Sequence, residues 1–110
     1  MSGALYAMYY VGQTGTGSGA VYVGNGKIVG IDVGNLRFHG TYVEQGGRLK
    51  GTVTMSAPTG GTLVTGAQLP AGTQLKLTLD WPSNFANGTP QAISIEGRPV
   101  HLTLEKIGDT

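Results

Sequence analysis

Alternation of apolar and polar side chains constrains this chain more than any other feature. From Thr73 to Trp81 it sets Gln74, Lys76, Thr78 and Asp80 on one face and Leu75, Leu77, Leu79 and Trp81 on the other. That is the period-two signature of a strand buried on one side. Residues 48–55 repeat it, with Leu49, Val53 and Met55 alternating against Arg48, Lys50, Thr52 and Thr54, and residues 92–96 and 100–105 follow the same rule. Glycine-containing turns close these stretches, so the pattern predicts an antiparallel β-protein. Glycine accounts for 20 of 110 residues. It has no fixed period and separates β-branched runs, which identifies it with turns and bends, not with collagen-like or disordered chain.

Eight strands are expected in succession, over residues 4–11, 20–24, 27–33, 36–44, 48–56, 73–81, 92–96 and 99–106. Asn25-Gly26 supplies the two positive-φ residues of a tight hairpin turn, Gln45-Gly46-Gly47 turns the chain into the fifth strand, and Gly97-Arg98 joins the last two. Residues 57–72 are loop-like in composition, with a short strand possible at Thr62-Leu63-Val64-Thr65. Val29, Ile31 and Val33 share one face of the third strand. In the fourth, Leu36, Phe38 and Tyr42 are expected inward and Arg37, His39 and Thr41 outward. Both faces of the first strand are apolar, Leu5, Ala7, Tyr9 and Val11 against Tyr6, Met8 and Tyr10, so alternation does not orient it. Seven or eight short strands without a helix favour an all-β, antiparallel up-and-down barrel, with a sandwich as the alternative.

A chain of 110 residues makes one domain, 1–110, with one modest core. Seven basic and six acidic side chains leave a net charge of +1, which lacks the electrostatic footprint of nucleic-acid binding. Absence of cysteine removes disulfides, thiolate metal sites and a cysteine nucleophile. The N-terminus has no basic segment followed by a long apolar one, and no stretch approaches the ~20 apolar residues of a membrane helix. The expectation is a soluble cytoplasmic protein with no membrane or nucleic-acid partner.

Catalytic constellations are not found. Ser18, in Thr16-Gly17-Ser18-Gly19, lacks the first glycine of a nucleophile elbow and no helix follows it. His39 and His101 fall on outward positions without a third ligand nearby in sequence, which argues against a metal site. Gly12, Gly15, Gly17 and Gly19 lie between strands, whereas a phosphate cradle needs a helix N-terminus. The carboxylates are scattered, mostly at outward positions. The expectation is therefore no enzyme, no cofactor and no metal. Two kinds of binding remain. A barrel lumen lined by Val53, Met55, Leu75, Leu77, Leu79, Trp81, Ile93 and Leu102 could hold a small apolar ligand, or could be filled by those side chains. Tyr6, Met8 and Tyr10 on the first strand are the candidates for a protein interface, because exposed Tyr and Met favour such surfaces.

Several segments carry a family likeness: Gly19-Ala20-Val21-Tyr22-Val23, residues 25–34 (Asn-Gly-Lys-Ile-Val-Gly-Ile-Asp-Val-Gly), Phe38-His39-Gly40-Thr41-Tyr42, residues 48–53 (Arg-Leu-Lys-Gly-Thr-Val) and Val100-His101-Leu102-Thr103-Leu104. In order and content they resemble the GrlR-like family of small bacterial β-barrels, named for a negative regulator of type III secretion. The resemblance implies a lipocalin-like barrel paired into a homodimer. It also implies a regulatory role, since the founding member silences virulence genes by binding a transcriptional activator and not DNA. In that member a surface cluster of alternating Glu and Asp takes part. Here no two acidic residues are adjacent, and residues 56–70 carry no charge.

Overall fold

A computed structural model describes residues 3–110. Ten strands follow one another: β1 (Ala4–Val11), β2 (Thr16–Gly24), β3 (Lys27–Asp32), β4 (Arg37–Gln45), β5 (Arg48–Ala57), β6 (Gly61–Thr62), β7 (Gln68–Leu69), β8 (Thr73–Pro82), β9 (Gln91–Ile95) and β10 (Arg98–Asp109). Eight of them form one antiparallel sheet in the order β8-β5-β4-β3-β2-β1-β10-β9, and β6 pairs with β7 as a separate small hairpin. Each large strand lies beside its neighbour in sequence, and β1 pairs with β10. The sheet thus curls into an up-and-down barrel whose one seam lies between β8 and β9, which touch without a hydrogen-bonded ladder among the described residues. The body measures 37 × 23 × 23 Å.

Local chemistry accounts for the connections. Asn25 and Gly26 take φ values of 52° and 75°, the pair of left-handed residues a two-residue hairpin needs to match strand twist. The last hairpin uses the same device one residue earlier than expected, at Glu96 and Gly97, with φ of 51° and 80°. In the β1–β10 ladder Leu5 faces Gly108 and Tyr6 faces Lys106. Ile107 is therefore the extra residue of a bulge, and it points to solvent.

The inward sides of the strands meet in one core of Met8, Val21, Ile28, Leu36, Leu49, Val53, Met55, Leu77, Leu79, Trp81, Ile95, Val100, Leu102 and Leu104. Alternation therefore gives the right facing for β4, β5, β8 and β10. β2 and β3 depart from plain apolar–polar alternation. β2 begins at Thr16, four residues before the expected start, because Gly17 and Gly19 occupy inward positions and hide the period. β3 faces inward through Ile28 and Asp32, which leaves Val29, Ile31 and Val33 exposed. Asp32 is thus an exception to the outward placing of the carboxylates.

Candidate functional site

Two features of the barrel could carry binding: a lumen cavity and a bare apolar strip outside it. The lumen holds a cavity of about 310 Å³, at the small end of the ~300–1,000 Å³ range of ligand pockets. Of the sequence candidates, Val53, Met55, Leu77, Leu79, Trp81, Ile93 and Leu102 border it. Leu75 packs against the core, half-buried, without bordering the cavity. The barrel is thus neither filled nor wide.

Both ends of the barrel are covered by segments without strand periodicity. At one end the chain from Ala57 to Gly72 folds across the opening. Gly60 and Gly72 N–H both donate to the Ala57 carbonyl, at 3.0 and 2.9 Å, so the segment leaves and returns at one point. Its tip is fastened to the β1–β2 turn, where the Thr14 N–H and hydroxyl each donate to the Val64 carbonyl at 2.9 Å. Arg98 donates to the Thr65 carbonyl at 3.2 Å. This strap buries Leu63 over the cavity. At the opposite end Phe85, from the β8–β9 connection, inserts beside Tyr6 and Trp81 with ring centroids 5.2 and 5.8 Å away, within the range of favourable aromatic pairs.

One polar constellation borders the cavity at the strapped end. The Asp32 carboxylate is buried and accepts hydrogen bonds from the Gly34 N–H at 2.8 Å, the Leu36 N–H at 2.9 Å and the Tyr10 hydroxyl. Tyr10 lies over Gly17, where any β-carbon would meet its ring. Burial, then the hydrogen bond to Asp32 and the charge of that carboxylate, push the Tyr10 pKa well above its ordinary 10.0. The hydroxyl therefore stays a donor. At the other end, Trp81 Nε1 is buried with no hydrogen-bond partner among the described residues.

Outside the barrel, Tyr9 and Val11 on β1 and Val29 and Ile31 on β3 are each about half exposed, at 50, 52, 49 and 47%. On β2 between them, Ala20 faces Ala7 on one side and Ile31 on the other, and Tyr22 faces Leu5 and Val29, whereas Ser18 and Thr16 face Tyr9 and Val11. The result is an apolar strip across three strands, edged by Ser18 and Thr16 on β2. Tyr6, Met8 and Tyr10, the expected interface residues, lie on the other face of β1. Met8 is buried and the two tyrosines pack against the core. The first strand is thereby corrected: its tyrosine-methionine face is lumen, and Leu5, Ala7, Tyr9 and Val11 face solvent.

His39 and His101 are exposed on separate strands, and no group of three His, Cys, Asp or Glu able to hold a metal occurs among the described residues. Among the described residues, no helix is long and apolar enough to cross a membrane. Sequence reasoning passed over Asp32 and Tyr10 as a pair. The available signal was Asp-Val-Gly-Asn, whose aspartate can cap its own turn and so need not face water. Leu63 lay in the possible strand Thr62-Leu63-Val64-Thr65, of which the structure pairs only Gly61–Thr62 as β6, and Phe85, an isolated apolar residue in a loop, carried no signal. No family model, curated protein or solved structure matches this chain.

Proposed function

We propose that this chain is a non-enzymatic protein-interaction module of the GrlR-like kind. It works as a homodimer and binds a partner protein such as a transcriptional activator, with negative regulation of type III secretion as the role its resemblance suggests. The observation that carries this reading is the apolar strip on the outer face of β1–β3. A soluble antiparallel sheet ordinarily turns polar side chains outward, and contiguous exposed apolar surface of this kind marks interaction sites. The test is partner capture in the bacterium of origin, using the wild-type chain and a Tyr9→Lys, Ile31→Lys double variant. Specific retention of a regulator by the wild type alone supports the reading. A monomer that retains nothing at micromolar concentration contradicts it.

A second reading is favoured by the cavity of about 310 Å³. Here the barrel carries a small, mainly apolar molecule beneath its strap. Trp81 borders that cavity, so its fluorescence reports entry of a ligand. An unchanged spectrum across a panel of apolar and amphiphilic compounds would remove this reading and leave the first.

A further inference from the structure

Asp32 is the one acidic side chain that borders the cavity, and its surroundings there are apolar: Met8, Val21, Leu36 and Leu104 also line the space. A carboxylate has about four lone-pair sites. Gly34, Leu36 and Tyr10 fill three of them, which leaves one for an incoming donor. The ion pairs among the described residues are Arg48 with Asp80 and Lys106 with Asp109, both exposed. No cation among the described residues therefore pairs with Asp32, although a buried charge is ordinarily paired as well as hydrogen-bonded. An independent vacancy of opposite sense lies at the other end. Trp81 Nε1 is a buried donor without an acceptor among the described residues, and the antiparallel order sets the C-terminal ends of β3 and β8 at opposite ends of the barrel.

Resting on the carrier reading, we infer that the lumen binds a hydrophobic amine, with its ammonium on Asp32 under the strap and its apolar body running toward Trp81. The ammonium supplies both the missing donor and the missing positive charge. A fatty acid of the same length would bring a second negative charge to a site that has no cation. A neutral alcohol could donate to Asp32 but would leave the charge unanswered.

Decylamine, decanol and decanoate share one tail and differ in head group, so they isolate this preference. Each is titrated into the protein at neutral pH below its micelle concentration, followed by Trp81 fluorescence and calorimetry. The expected result is decylamine binding at least about tenfold more tightly than either of the others, the scale of a charge-assisted over a neutral hydrogen bond. Asp32→Asn should erase the preference. Tyr10→Phe, which keeps the carboxylate, should retain it. Equal or tighter binding of decanol or decanoate by the wild type overturns the inference while the carrier reading stands, and so does a preference that survives Asp32→Asn. Failure of all three compounds to bind overturns both.

Discussion

The two halves of the barrel wall share one apolar core inside, apart from the Asp32–Tyr10 contact of β1–β3, and are opposite outside. Inward, β1–β3 offer Met8, Val21 and Ile28, and β5 and β8 offer Val53, Met55, Leu77 and Leu79, all buried in one core. Outward, β1–β3 expose Tyr9, Val11, Val29 and Ile31. β5 and β8 instead expose Lys50, Thr52, Gln74, Lys76, Thr78 and Asp80. The barrel needs only the inward side to fold, since burial of that face supplies the apolar driving force. The outward difference is therefore surplus to folding and open to a functional explanation. One half presents a polar outer face to water, and the other an apolar one.

If the halves share one apolar core, truncating it must cost the same on both. Met8→Ala and Met55→Ala should each lose about 2–5 kcal/mol in urea unfolding, the range for a methionine-sized cavity. A near-zero effect at Met8 alone would mean that the β1–β3 half is not packed as described. Next in size is the buried polar contact on β1. Tyr10→Phe should lower stability by about 1–3 kcal/mol near neutral pH, as expected for a hydrogen bond to a charged group. The same variant has a pH signature. Folding raises the Tyr10 pKa above 10.0, so the stability it contributes is complete below that pH. As pH rises further the unfolded chain ionises first, and the contribution is progressively lost. Tyr10→Phe should flatten this alkaline decline, and an unchanged slope would remove Tyr10 as its source.

Smaller effects belong to the outer faces. Arg48→Ala breaks an exposed pair with Asp80, 2.9 Å long, and should cost no more than about 1 kcal/mol. On the apolar half, Ile31→Lys should change the stability of the isolated monomer by about 0.5 kcal/mol or less, yet raise solubility and weaken association. Thr78→Lys on the polar half should do neither. Equal behaviour of these two lysine variants would dissolve the contrast between the halves.

Much of this arrangement was legible in the sequence, and for unequal reasons. β5 and β8 announce their faces because charged and hydroxyl side chains alternate with Leu, Val and Met. β1 does not, because its outer side and its lumen side are both apolar, and period two orients a strand only when one face is wet. Glycines conceal the start of β2 in the same way, since an inward Gly17 or Gly19 reads as turn chemistry although the chain is extended there. The lumen candidates of β5, β8, β9 and β10 follow directly from alternation. The covers do not: Leu63 and Phe85 are placed by tertiary contact, through the Thr14–Val64 hydrogen bonds and the packing against Tyr6 and Trp81. Asp32 was hidden by its residue type. Its capping of residues 34 and 36 satisfies it away from solvent.

Sedimentation velocity over a range of concentrations, on the wild-type chain and on the Tyr9→Lys, Ile31→Lys variant, tests the central claim most directly. The account expects a wild-type dimer in the micromolar range and a variant that stays monomeric with an unaltered near-ultraviolet circular dichroism spectrum. A wild-type chain that remains monomeric at every concentration, or a variant that still pairs, would contradict the assignment of the β1–β3 outer face as the surface through which this barrel meets another copy of itself.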